Sequence, residues 1–470
     1  MFIGRKEELK ELNERLYSKK FEMIPIYGRR RVGKTRLLEE FVKDKKAVFF
    51  TADQFGEESN LFNLSQAIIS LIAPSLSVSH FTSFQDAFEA VATYAETSPE
   101  PLVFIIDEYP YLAKSSEGIS SVLQKVIDKN YLKLPNLMLI LTGSQLSFME
   151  EQVLGYESPL YGRRTGQIKL LSLNYTQSKA FLPSMPEDDF MTIYGLTGGI
   201  PLYLTLMDDS LSLKENIIQN VLSKNTFLYE EPRNLLMQEL RTPNRYNDII
   251  AAIAGGASEM KDIIGKTGID SGPLTKYLMT LIDLNIIEKK LPLTKIGKNK
   301  PVYIVSDGLF RFWYRYIPNY RNFIETSRTH LIWNKIEEDL PQYTSIVFEE
   351  FCRDWLYSQN GSEQVPFLIA EVGSWWGNNP LIRNKATSQE EVDIIGLGLE
   401  KSDLIVGECK WRKAPTDRSI AERLVERSHF FPYQNKALYL FSKTGFTPGL
   451  KEYAKEKEIQ LIEFRKMIEE

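Results

Sequence analysis

The chain has 470 residues, 43% apolar and 25% charged, and a formal net charge of −5. That is the composition of a soluble globular protein, too long for one ordinary core, with length suggesting about three domains; it excludes a globally basic nucleic-acid binder but not local basic patches. Two cysteines (Cys352, Cys409) and three scattered histidines (His80, His330, His429) exclude a disulfide framework and a structural zinc site.

Leu9, Leu12 and Leu16 recur at helical spacing, so a short amphipathic helix is predicted over residues 5–17. Met23 to Tyr27 reads as a strand, with Pro25 an awkward member because it has no N–H for a ladder. Gly28-Arg29-Arg30-Arg31-Val32-Gly33-Lys34-Thr35 then fits G-x-x-x-x-G-K-[ST], the phosphate-binding P-loop. The glycines let backbone N–H groups close around phosphates, Lys34 reaches their oxygens, and the Thr35 hydroxyl suits Mg²⁺. A helix from Arg36 to Lys43 would aim its N-terminus at the anion, so Gly28 through Arg36 form the expected nucleotide-binding set.

Ala47 to Thr51 is a second predicted strand. Pro101 to Asp107 is a third, apolar throughout like a strand buried on both faces of a parallel sheet. It ends in Asp107 and Glu108, at the edge where open α/β sheets bind ligands. Asp107 is expected to hold Mg²⁺ and Glu108 to polarise the attacking water as general base. A fourth strand, Leu137 to Leu141, runs into Thr142-Gly143-Ser144, where Ser144 either senses the γ-phosphate or caps a helix. Arg163 and Arg164 precede a further strand, Ile168 to Leu171. They either neutralise transition-state charge, in cis or from a neighbouring subunit, or form structural ion pairs. Gly198-Gly199-Ile200-Pro201 reads as a turn that starts a helix.

With Phe2-Ile3-Gly4-Arg5, Glu8, Leu9, Tyr109-Pro110-Tyr111-Leu112 and Ser158 to Thr165, these segments resemble the archaeal-type ATPase family of the STAND class of P-loop NTPases. The resemblance covers roughly the first 235 residues and implies ATP binding and hydrolysis coupled to a conformational switch. Tyr109 stands where that family is expected to carry Phe.

Tyr246, Ile249, Ile250 and Ile253 mark the face of one helix, Ser258 is placed to cap a second, and Leu274, Leu278 and Leu281 mark a third. Two strands, 286–290 and 302–305, flank Lys295 to Lys300. Together these predict a winged helix-turn-helix, which either sets its third helix in a DNA major groove with wing lysines on phosphates or serves only as a linker. The aromatic run Phe310 to Tyr316 reads as a helix packed between domains.

Near the C-terminus a helix carrying Glu349 and Glu350 precedes an alternating strand, Glu391 to Gly396, and a strand holding Glu408-Cys409-Lys410. Residues two apart on a strand share a face, so Glu408 and Lys410 point together and a hairpin brings Asp393 beside them. Two carboxylates to hold Mg²⁺ against a phosphodiester and a lysine to stabilise the developing charge form a nuclease-like set. The order resembles the PD-(D/E)xK superfamily of restriction-endonuclease-like domains, and in particular the C-terminal domain that ends many archaeal-type ATPases. That resemblance covers about residues 330–470 and implies Asp393 and Glu408 as metal positions, Lys410 as catalytic, and Glu349 or Glu350 as the helix acid. Arg383, Lys385, Arg412, Lys413, Arg418, Arg423 and Arg427 either track a nucleic-acid backbone or are ordinary surface charges.

The expected fold is therefore α/β throughout. A P-loop NTPase parallel sheet (1–205) with a helical lid (206–240) precedes a winged helix (241–318) and a restriction-endonuclease-like domain (319–470). The expected partners are ATP with Mg²⁺ and nucleic acid, DNA favoured. A homo-oligomer formed with nucleotide, a cytoplasmic location and no membrane contact complete the reading.

Overall fold

A computed structural model describes residues 2–72, 80–294, 296, 300–380 and 389–469. The chain divides into two compact units, one of residues 1–178 and 200–205, the other of residues 179–199 and 206–470.

The first unit is a parallel sheet of five strands in the order β2-β3-β4-β1-β5. These are β1 Glu22–Tyr27, β2 Lys46–Thr51, β3 Leu102–Asp107, β4 Leu137–Gly143 and β5 Ile168–Lys169. Every residue of β1, β3 and β4 is buried, which is why their sequences run apolar instead of alternating. Alternate side chains serve two cores. Ile24, Ile26, Ile105 and Ile140 pack with Leu12 and Leu16 of helix α1 (Lys6–Leu16) and with Leu37, Leu38 and Phe41 of α2 (Lys34–Val42). Met23, Phe104, Ile106 and Leu139 pack with α3 (Glu57–Ile72), α4 (Phe84–Thr97), α5 (Tyr109–Ser115) and α6 (Ile119–Lys129). A short helix, Pro201–Leu204, completes this unit.

Pro25 fits β1 for a local reason. Met23 donates its N–H to Thr165 Oγ1, and the Tyr27 carbonyl accepts from Leu170 N–H, so odd-numbered residues of β1 face β5. There only Ile168 and Lys169 pair, and the position of Pro25 falls ahead of them. The missing N–H takes no bond from the ladder with β4.

The second unit begins with α7 (Glu187–Thr197), α8 (Leu213–Asn220) and α9 (Phe227–Glu239). Three helices follow, α10 (Pro243–Ala254), α11 (Met260–Thr267) and α12 (Ser271–Asp283), with an antiparallel ribbon of β6 (Ile287–Lys290) and β7 (Val302–Val305). The three predicted apolar faces form one core around Ile249, Ile263, Leu274 and Leu278. Ser258 does not cap α11, whose N-cap is Glu259. The aromatic run lies in α13 (Gly308–Glu325), where Phe310, Phe312, Tyr314 and Tyr316 are buried.

Helix α14 (Trp333–Ser358) leads into a mixed sheet ordered β12-β11-β10-β9-β8. Its strands are β8 Ile369–Asn378, β9 Gln389–Gly398, β10 Asp403–Lys410, β11 Asn435–Ser442 and β12 Ile459–Glu463. Helices α15 (Arg418–Ser428) and α16 (Pro448–Glu456) bury Leu424 and Leu450 against Val406 and Leu440, and α17 (Phe464–Glu469) closes the described chain. Two rings of α14 meet aromatic partners of the sheet domain, Phe348 with Trp411 and Trp355 with Phe441, at 5.0 and 5.9 Å between centroids.

In its described residues the ribbon is fastened to the sheet domain at three points. Leu293 N–H donates to Ser374 O (3.0 Å), and the indoles of Trp375 and Trp376 donate to the carbonyls of Ile296 and Lys300 (3.3 and 3.2 Å). At Leu293, Ile296 and Lys300 the connection is thus bonded to β8. Lys300 pairs with Glu259 at 2.9 Å. Lys295, Gly297, Lys298 and Asn299 of the expected wing, with Arg383 and Lys385, lie outside the described residues.

Candidate functional site

The loop between β1 and α2 is shaped by backbone that only certain residues adopt. Gly33 has φ 91° and Arg31 φ 71°, both left-handed. A Cβ on Gly28 would fall 2.3 Å from the Leu170 carbonyl oxygen, so only glycine fits beneath β5. Lys34 is buried, and its ammonium donates to the carbonyls of Gly28 (2.9 Å) and Arg29 (3.1 Å). The lysine is thus curled over the loop onto its carbonyl oxygens.

At the ends of β3 and β4 a chain of polar contacts reaches the loop. Thr35 Oγ1 donates to Asp107 Oδ2 at 2.9 Å, and Thr142 Oγ1 donates to Asp107 Oδ1. Glu108 has left-handed backbone (φ 52°) at the start of α5, and its N–H donates to Thr142 Oγ1 at 3.1 Å. Ser144 donates its hydroxyl (3.0 Å) and N–H (3.4 Å) to Glu108 Oε2. The structure therefore brings Lys34, Thr35, Asp107, Glu108 and Ser144 to one corner. Ser144 holds the Glu108 carboxylate and caps no helix; the N-cap of the short helix that follows is Gln145.

Other members of the expected set support the loop. Val32 is fully buried, and Arg30 Nη2 donates to Tyr111 Oη at 2.7 Å. Arg36 points along the surface of α2 and pairs with Glu39 at 3.0 Å. Arg163 and Arg164 are not brought to the loop. Thr165 N–H bonds to Met23 O, so the segment before β5 lies at the edge where β1 begins, opposite the P-loop. There Arg163 grips Asp128 through two nitrogens (3.1 and 2.9 Å), and Arg164 donates to Gln167 (2.8 Å). These are the structural contacts, and cis contact with a nucleotide on this loop is ruled out by position.

Sequence reasoning gives Arg5 no working role, yet it supports the loop. Its Nη2 donates to Val32 O (3.0 Å) and Leu171 O (2.5 Å), and Nη1 pairs with Glu8 (3.1 Å), tying the loop to the segment that follows β5. Burial pulls this guanidinium below its ordinary value while Glu8 opposes the shift. The donor set of this corner fits a triphosphate with Mg²⁺: a lysine on replaceable neutral acceptors, a hydroxyl beside a carboxylate, and a second carboxylate one residue on.

The second cluster sits on β9, β10, α14 and α15. Asp393 and Glu408 meet through the β9–β10 hairpin, whose register pairs Ile394 with Gly407. Asp393 Oδ2 accepts from Cys409 N–H at 2.9 Å and lies 3.9 Å from Lys410 Nζ. Lys410 Nζ pairs with Glu408 Oε1 at 2.7 Å. Arg427 of α15 takes the other oxygen, Nη1 to Glu408 Oε2 at 2.8 Å, and reaches Glu390 Oε2 through Nη2 (2.9 Å) and Nε (3.0 Å). Arg427 is therefore a largely buried clamp and not a surface charge following a backbone.

The two candidate helix acids separate cleanly. Glu350 receives a two-pronged bond from Arg311 (2.9 and 3.2 Å), which outweighs burial and holds its carboxyl below the usual range. Burial, reinforced by the charge of Asp393, pushes Glu349 up to about 8. Burial and then Glu408 push Asp393 up to about 7. Glu349 is thus the acid whose charge Asp393 opposes, and Glu350 is the one paired with Arg311. Arg353 donates to Asp393 O at 2.8 Å.

This arrangement does not present Asp393 and Glu408 as a ready Mg²⁺ site. Both oxygens of Glu408 are engaged by cations. Among the described residues no three His, Cys, Asp or Glu side chains are gathered to hold a metal ion. No helix among them is long and apolar enough to cross a membrane.

Residues 2–207 match the family described as an ATPase domain predominantly from Archaea, and residues 313–423 match one described as archaeal and bacterial proteins of unknown function. An uncharacterized protein of Methanocaldococcus jannaschii is 32% identical over 420 residues, 88% of each chain. An uncharacterized ATP-binding protein of the same organism is 50% identical over 46 residues, 10% of this chain and 78% of its own. The Walker-type ATPase of Pyrococcus abyssi superposes with a TM-score of 0.51 at 23% identity, over 67% of this chain and 96% of its own, a likeness of fold. With its parallel P-loop sheet followed by a C-terminal mixed-sheet domain, the chain belongs to the archaeal-type ATPase family.

Proposed function

We propose that the protein is an ATP-binding and ATP-hydrolysing switch whose nucleotide state governs a C-terminal module that engages nucleic acid. The observation that carries the reading is the run of contacts Thr35–Asp107–Thr142–Glu108–Ser144 beside Lys34. Lys34 would leave the carbonyls of Gly28 and Arg29 for phosphate oxygens, since a charged acceptor binds an ammonium more strongly than a neutral one. Thr35 and Asp107 would hold Mg²⁺, which when bound neutralises phosphate charge. Glu108, fixed by Ser144, would accept the proton of the attacking water. Arg163 and Arg164 would act, if on phosphate at all, on a nucleotide of a second copy.

The chain passes between its two units at 178/179, 199/200 and 205/206, so a change in the nucleotide unit has three covalent routes to the other. In that other unit we read the three helices and ribbon as a winged helix, and the mixed sheet with Asp393, Glu408 and Lys410 as a restriction-endonuclease-like domain. Its second reading is cleavage instead of gripping, favoured by the 2.7 Å contact that sets Lys410 beside Glu408.

Two assays test this. Glu108→Gln should bind ATP but turn it over far more slowly than the parent; equal turnover removes Glu108 from the role. Plasmid incubated with Mg²⁺, with and without ATP, beside Asp393→Ala and Lys410→Ala, separates cleavage from gripping. Nicking lost in both variants supports the nuclease, and DNA retention without nicking supports the gripping module.

A further inference from the structure

Glu408 is the deepest carboxylate of the C-terminal cluster, with 9% of its side chain exposed. A buried carboxylate needs a counter-charge, and here it has two. Lys410, its neighbour on the same strand, takes Oε1. Arg427 arrives from α15, with 13% of its side chain exposed, and takes Oε2 while its remaining nitrogens hold Glu390 on β9. A planar guanidinium with five donors can join two carboxylates on adjacent strands in this way; a lysine at that place has no fixed fork. The guanidinium also cannot shed its charge, so it is a permanent cation where a hydrolytic site would take a removable one.

We propose that Arg427 is a built-in counter-cation that keeps Glu408 closed to divalent metal. This rests on the restriction-like reading of the domain and specifies its regulation. With Arg427 in place, an arriving dication meets a carboxylate already neutralised and two positive charges at its flanks. With the guanidinium withdrawn, buried Glu408 and half-buried Glu390 are left without that partner, and Asp393 stands across the hairpin from Glu408. Arg427 is accordingly a positioning residue: it acts through Glu408 and not on a phosphodiester.

The test is Mn²⁺ binding to the full-length, nucleotide-free protein, followed by electron paramagnetic resonance. The variants are Arg427→Gln, Arg427→Lys, the charge-balanced pair Arg427→Gln with Glu390→Gln, and Arg427→Gln with Glu408→Gln. Far-UV circular dichroism checks each for folding, and the charge-balanced pair serves if Arg427→Gln does not fold. The expected result is a gain in Mn²⁺ affinity of about tenfold or more over the parent when the guanidinium is removed, less in Arg427→Lys, and none in the Glu408 double variant. Parent protein that binds Mn²⁺ as tightly as Arg427→Gln overturns the closure but leaves the metal-dependent nuclease reading standing. Folded Arg427→Gln protein, or its charge-balanced form, that binds no Mn²⁺ at all overturns both the closure and that reading. A gain that survives Glu408→Gln overturns the assignment to this carboxylate.

Discussion

The two polar corners of this molecule use nearly the same residue types at the ends of strands and reach opposite electrostatic states. At the P-loop, Asp107 is held by two neutral hydroxyls, Thr35 and Thr142, and Lys34 rests on the carbonyls of Gly28 and Arg29. In the C-terminal cluster Glu408 faces two cations, and Glu350 faces a third, Arg311. A list of acids and a lysine therefore does not state what a site does. The counter-charges decide: neutral partners leave a site open to a charged ligand, and ionic partners close it.

The largest effect that sharpens this contrast is on turnover. Glu108→Gln is expected to lower ATP hydrolysis by about 10²–10⁴-fold, measured as phosphate release at saturating ATP, with binding retained. Next is stability in the closed cluster. Glu350→Ala leaves Arg311, 13% exposed, without its partly exposed carboxylate and should cost about 1.5–3 kcal/mol by urea unfolding. If it costs no more than a surface substitution, the cluster is not internally neutralised as described.

Glu349 gives the same comparison a pH axis. Its folded carboxyl is raised by burial to about 8, against about 4.3 unfolded. The folded state thus binds more protons between those values, so this group's contribution is complete below about pH 4 and is lost as pH rises toward 8. The parent's urea midpoint should fall over that window more steeply than that of Glu349→Gln. Parallel slopes would mean that Glu349 does not carry this pH dependence.

Two further variants test the loop's supports. Arg5→Ala removes charged hydrogen bonds to Val32 O and Leu171 O, and each such bond is worth about 1.5–3 kcal/mol. Thermal stability and ATP affinity should fall together, whereas a loss of stability alone would mean that Arg5 does not shape the loop. Arg163→Ala breaks only a half-exposed pair with Asp128 and should change stability by about 0–1 kcal/mol.

What the sequence made legible follows from range. The strands were readable because β1, β3 and β4 are buried on both faces, and the P-loop because its glycines and lysine are contiguous. Asp393 beside Glu408 and Lys410 was readable from strand alternation and one hairpin. Arg5 was not, because its carbonyl partners lie 27 and 166 residues away. Arg427 looked like a surface charge because its carboxylates sit 19 and 37 residues upstream on other strands. The choice between Glu349 and Glu350 turned on Arg311, a helix earlier. For Arg163 and Arg164 the sequence left a role at the nucleotide and a structural ion pair both open. Parallel pairing of β5 with β1 instead sets the residues before β5 at the far edge. The indole N–H groups that fasten the ribbon to β8 carry no local signal in the sequence.

The measurement that bears most directly on the account is calorimetric titration of the intact protein with ATP and Mg²⁺, beside Lys34→Ala. The account predicts saturable heat from one site per chain, absent in the variant. No heat from folded parent protein through millimolar nucleotide, or the same heat from both proteins, would contradict it.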